Sequence, residues 1–392
     1  MGRWRRGTVA AALLGAVWLL PAPLRAAEPD DTRALMHEIF AAFATLVRHV
    51  EDPEAFASPE AREDIVGSLR ALERNAQRLE THGGPVSAAH RPVGESLVSD
   101  AARALDALTL GQFESARFLS AQLVEDCFAC HSKLPTHHRF AHGAELLESP
   151  AVASLPPERK ALVAVAARQF ETALSLLESY MADPRHPAVE IALSGAFESY
   201  LKVALRVLGD RDRALRTLTA FRGRSEVPVY LDSELSSWIE TLRELDPAEP
   251  TDRLLARARD QIEQARMLVQ YPGDRRGLVH FVVASRWLHQ SLEGRTPGRE
   301  ELSETMLLLG LCEIHISSSR WVSEAESFLA GAIRAAPEGA SARTAYGTLE
   351  AVYLEGYTGS GGTHLPPMVE RRLSSLRALL ENGPSPAGGV PR

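Results

Sequence analysis

The stretch VEDCFACHSKLP, residues 124–135, decides how the rest of the chain is read. It sets Cys127 and Cys130 three apart and follows the second directly with His131, in a chain of only three cysteines. On a helical turn, positions i and i+3 face the same way and i+4 lies beside the first. One turn therefore offers two thiols and an imidazole to a single partner.

Four chemistries use such an arrangement. In covalent haem attachment the thiols of Cys127 and Cys130 form thioethers with the vinyl groups, and His131 coordinates iron from one face. A zinc site would add His138 and His142, giving C-x2-C-x7-H-x3-H, with a central spacing shorter than the usual finger. A thioredoxin-like redox pair needs alternating strands and helices around it, and the flanking pattern shows none. In an oxidising compartment the pair could also be a plain disulfide. The haem reading accounts for all three residues at once and is the one carried forward.

The N-terminus bears on compartment. MGRWRRGTVAAALLGAVWLLPAPLRAAEPDD carries Arg3, Arg5 and Arg6, then an uncharged and mostly apolar run from Thr8 to Leu20. Small residues follow, with cleavage expected after residue 26 or 27, the pattern of a secretory signal peptide over residues 1–26. The alternative is an uncleaved anchor, but the apolar run is short for a membrane span. The sequence therefore predicts an exported, periplasmic-type protein with no transmembrane segment in the mature chain. Losing residues 1–26 removes four arginines and no acids, taking the formal charge from −8 to −12. An acidic surface argues against nucleic acid as a partner.

Upstream of the motif the apolar residues keep helical spacing. DTRALMHEIFAAFATLVRHV, residues 31–50, has Ala34, Met36, Ile39, Phe40, Phe43 and Val47 in register. A second helix carries Ile65, Leu69, Leu72 and Leu79 and stops at Gly83-Gly84. A third runs from about Pro92 to Leu110, and a fourth from after Gly111 to just before Pro135. Four helices with short connections outline an antiparallel bundle.

Four helices with C-x-x-C-H near the end of the last resemble a class II c-type cytochrome, the cytochrome c′ family, over residues 29–134. The resemblance implies one covalent haem c, tethered by Cys127 and Cys130, with His131 as proximal iron ligand. It also implies that a residue of the first helix faces the other side of the haem. Met36, in ALMHEIF, is the candidate distal ligand by position. His37 projects about 100° away around the helix, so at most one of the two can point at iron.

Beyond a proline-containing connection, residues 135–155, the texture changes. RQFETAL at 168–174, GDRDRAL at 209–215 and SRWVSEA at 319–325 resemble one another, and GQFESA at 111–116 has the same look. Together with ESFLAGAIRAAP, the first three of these stretches resemble tetratricopeptide-like helical hairpins over residues 156–380, at irregular spacing. Cys312 lies in an apolar helix and reads as core. YTGSGGTHLPP, residues 357–367, lacks the lysine of a phosphate loop and reads as a plain loop. Residues 381–392 are expected to be a disordered tail.

The expected fold is all-α, a four-helix-bundle haem domain followed by an α-solenoid. The expected function is one-electron transfer at haem iron, with the repeat domain docking a redox partner protein. Two alternatives stand beside it: a haem-based binder of diatomic gas with an open distal site, and a scaffold whose haem is structural. No catalytic constellation marks an enzyme.

Overall fold

Ile65, Leu69, Leu72 and Ala76 recur at helical spacing and are all fully buried, which is why the segment around them is a helix lying on a core. The computed structural model describes residues 29–50, 52–81, 87–133, 141–246, 252–271, 273–293, 296–317 and 323–382. The expected signal peptide lies outside the described residues.

The first region comprises α1 (Pro29–Val50), α2 (Pro53–Ala57), α3 (Pro59–Thr81), α4 (Ser87–Thr109) and α5 (Phe113–His131). Helix α1 packs on α3 and α5, and α4 packs on both α3 and α5. The short α2 exists because the Asp52 carboxylate accepts from the backbone N–H of Glu54 and Ala55, both at 3.0 Å. Helix α4 starts at Ser87, upstream of the expected Pro92. In α1 Ile39, Phe43 and Val47 are buried as expected, but in the first turns the buried position is Leu35, whereas Ala34 is exposed and Met36 half-buried.

The segment expected as a connection folds into α6 (Ala141–Glu148) and α7 (Pro150–Ala153), which bury Leu146, Leu147 and Val152. The chain continues through α8 (Pro157–Ala166), α9 (Phe170–Ala182), α10 (Ala188–Leu193) and α11 (Ala196–Leu201) into a π-helical segment, Lys202–Val207. Next come α12 (Arg211–Arg222), α13 (Val229–Glu244), α14 (Leu254–Leu268) and α15 (Leu278–Leu292). The last helices are α16 (Arg299–Ile316), α17 (Ser323–Ala335), α18 (Ala340–Gly356) and α19 (Pro367–Asn382). Helix α19 takes in the first two residues of the expected tail, and residues 383–392 lie outside the description. The glycine-rich stretch forms a minimal exposed hairpin, β1 (Thr358–Gly359) against β2 (Gly362–Thr363), antiparallel. No helix among the described residues is long and apolar enough to cross a membrane.

The look-alike stretches share one turn. Gly111, Arg168 and Gly209 each have positive φ, at 73°, 59° and 68°. Each is followed by a residue with φ between −86° and −97° and ψ between 60° and 73°, which opens a helix. The opening residue's N–H reaches back to close the preceding helix: Gln112 to Ala107 O at 2.9 Å, Gln169 to Ala164 O at 2.7 Å, Asp210 to Ala204 O at 2.8 Å. The third bond spans one residue more because the π-helical segment before it widens the ladder. Four residues on, Ala116, Ala173 and Ala214 are fully buried, where a larger side chain would hold the paired helices apart. The start of SRWVSEA lies outside the described residues, though its Ala325 is buried.

The first region does not stand apart from the rest. Helix α5 packs on α8, α4 packs on α17, and Arg334 pairs with Glu95 at 2.9 Å across the second contact.

Candidate functional site

The last turn of α5 carries Cys127, Cys130 and His131, all half-buried. Both cysteines are free thiols, and Cys127 packs against the same core as the half-buried Met36 of α1. Burial pushes both thiols up, with Asp126 adding to it, while Lys133 and Arg168 partly oppose it at Cys130. A redox-active thiol pair needs the opposite shift, so this turn is poorly suited to thiolate chemistry.

His131 is oriented by a group outside its own helix. Its Nδ1 lies 2.6 Å from the carbonyl oxygen of Ala166, the last residue of α8. A carbonyl only accepts, so Nδ1 carries the hydrogen, which in the neutral ring leaves the lone pair on Nε2. The acceptor is well chosen by the fold. The final carbonyls of a helix lack intrahelical partners, and the α8 turn uses those of Val163, Ala164 and Val165 for the N–H groups of Ala167, Gln169 and Arg168. The Ala166 carbonyl goes to the imidazole instead, at the negative end of the helix dipole. Donation of Nδ1–H to a carbonyl fixes ring orientation and makes Nε2 a better metal ligand.

Gly143 lets α6 approach this turn. A Cβ there would collide with Ala167 O and press on the side-chain amide of Gln169. Its neighbour His142 meets His37 of α1 edge-on, ring centroids 5.7 Å apart. His37 itself is exposed. Among the described residues no three His, Cys, Asp or Glu side chains converge to hold a metal ion. Cys127, Cys130 and His142, three members of the zinc set, are thus not brought together, and His138 lies outside the described residues.

Two buried polar clusters flank the turn. Just before it, Asp126 accepts from Ser96 Oγ at 3.1 Å and lies within hydrogen-bonding reach of Asp100, which pairs with Arg103. Just after it, Arg206 of the π-helical segment reaches Ser132, Ser285 and Glu313, and Lys133 pairs with Glu324 of α17 and lies over the Phe328 ring at 4.8 Å. Lys202 sits over the Phe128 ring at 5.1 Å.

Sequence patterning missed the Ala166 acceptor, because a backbone carbonyl leaves no residue-type signal. Arg206 and Glu313 did leave one: each is a charge inside an apolar helical run, LKVALRVLG and LLLGLCEIHI. The chain matches no protein-family model, and no curated protein or solved structure matches it.

Proposed function

We propose that this protein is an exported monohaem c-type cytochrome that passes single electrons, with a four-helix haem-binding region and a tetratricopeptide-like array that docks a redox partner protein. The observation that carries the reading is the His131 Nδ1 bond to Ala166 O, one residue beyond the Cys127–Cys130 pair. That is the preparation an axial imidazole needs, and neither a disulfide nor a nucleophilic thiol pair calls for it.

Cys127 and Cys130 would be the thioether tethers, His131 Nε2 the proximal ligand and Met36 the distal one. When bound, the haem supplies one-electron chemistry at iron. The chain's part is to hold the imidazole at Nδ1, to keep both thiols in a sheltered turn, and to set the local charge through the flanking clusters.

The test is expression of the full chain with haem-maturation machinery. Covalent haem should survive denaturation in the wild type and be lost when Cys127 and Cys130 are both replaced by Ser. The oxidised protein should show the methionine–iron charge-transfer band and ignore carbon monoxide, and Met36→Ala should turn it high-spin. A high-spin wild type that shifts with carbon monoxide would move the reading to diatomic gas binding. No covalent haem would overturn it.

A further inference from the structure

Ser132 ends α5 directly after His131, and its N–H stays bonded to Phe128 O at 2.8 Å. Its carbonyl is among those a helix end leaves without an internal partner. Arg206 supplies the donors: Nε to Ser132 O at 3.0 Å and a terminal nitrogen to Ser132 Oγ at 2.6 Å. The other terminal nitrogen donates to Glu313 at 2.9 Å and to Ser285 Oγ at 3.2 Å. The guanidinium is therefore planted on α15 and α16 at one end and grips the motif's helix at the other. Its own backbone is anchored too. Arg286 donates to the carbonyls of Leu205, Arg206 and Val207 at 3.2, 2.7 and 3.2 Å, closing the π-helical segment. Arg206 is 2% exposed, so water does not compete for these bonds.

We propose that Arg206 is a positioning residue for the His131 imidazole, acting through Ser132. The inference rests on the haem reading above. Two bonds to one residue, at carbonyl and hydroxyl, fix both the place and the rotation of the final turn. Ala166 fixes the ring at its Nδ1. Backbone and ring of the iron-binding residue are thus set from α8 and from the π-helical segment, both outside the helix that carries the motif. The array then acts on the haem as well as docking its partner.

A matched pair of substitutions in the full-length protein separates positioning from mere cohesion. Ser132→Ala and Ser285→Ala each take one hydroxyl from Arg206, one on the His131 side and one on the far side. Each also loses one further bond, from Ser132 Oγ to Ala129 O at 3.2 Å and from Ser285 Oγ to Glu313 at 3.5 Å. Both should lower the thermal midpoint by similar amounts. Only Ser132→Ala should shift the ferric electron paramagnetic resonance g-values and the midpoint potential, and Ser132→Thr should restore both. Haem present but signatures unchanged in Ser132→Ala, or shifted equally in Ser285→Ala, would overturn the proposal and leave Arg206 as a structural tie. A wild-type chain without covalent haem would instead remove the haem reading, and this inference with it.

Discussion

The two buried clusters beside the C-x-x-C-H turn treat charge in opposite ways. After the turn, burial alone would raise Glu313, but Lys133, Arg206 and Lys202 outweigh it and hold the carboxylate below its usual range. Before the turn, burial raises Asp126 well above the usual carboxylate range, and the neighbouring charge of Asp100 pushes it further. Asp100 Oδ2 and Asp126 Oδ2 are both buried with no donor against them. A proton on one of the pair supplies that donor, since two adjacent carboxyls out of water cannot both ionise. Burial therefore does not decide charge state by itself. The sign of the nearest partners decides it.

The largest expected effect follows from the ionised side. Glu313→Gln leaves Arg206 and its neighbouring lysines without their common anion at a site only 2% exposed. Stripping one partner from a buried ion pair costs about 3–5 kcal/mol. Urea unfolding at neutral pH should show the midpoint falling accordingly. A loss under about 1 kcal/mol would mean that water reaches the cluster and the contrast fails.

How much of this is legible in the sequence divides along physical lines. The helices before the motif can be read because Ile65, Leu69 and Leu72 repeat with the helical period and each faces one core. The recurring turn is legible as well, in the small residues at 116, 173 and 214, although the glycine of two copies is Arg168 in the third. The turn of residues 127–131 needs only local spacing. What patterning cannot supply is the pairing of distant groups: which carbonyl meets His131, or which anion meets Arg206. Those depend on how α5 lies against α8 and the π-helical segment, and no local period encodes that.

The next effect concerns the protonated side and carries a sign. Asp126→Asn keeps the acceptor for Ser96 and gives Asp100 a permanent donor. An acid whose folded pKa is raised makes the folded state bind more protons than the unfolded chain. Its presence therefore costs stability as pH rises from about 4 upward through the folded value. Asp126→Asn should gain almost nothing at pH 4 and progressively more toward pH 8, each pH unit over which the fold keeps a proton that the unfolded chain has released being worth about 1.4 kcal/mol. Thermal unfolding at the two pH values measures it. A gain independent of pH would show that Asp126 binds protons alike in the folded and unfolded states, so that its folded pKa is not raised.

The smallest effect tests the assignment most directly. Ser96 Oγ donates to Asp126 at 3.1 Å whichever state the carboxyl is in, but the strength of the bond differs. A neutral pair contributes about 0.5–1.5 kcal/mol, and one with a charged acceptor about 1.5–3 kcal/mol. If Asp126 is protonated at pH 7, Ser96→Ala costs about 1 kcal/mol, and costs the same in the Asp126→Asn background, because both acceptors are uncharged carbonyl oxygens. The double-mutant cycle then returns a coupling near zero. A coupling of about 1 kcal/mol or more, with the serine contributing less in the Asp126→Asn background, would mean an ionised Asp126. The clusters on either side of the turn would then be alike in keeping their carboxylates charged, and the proton placed between Asp100 and Asp126 would have to be withdrawn.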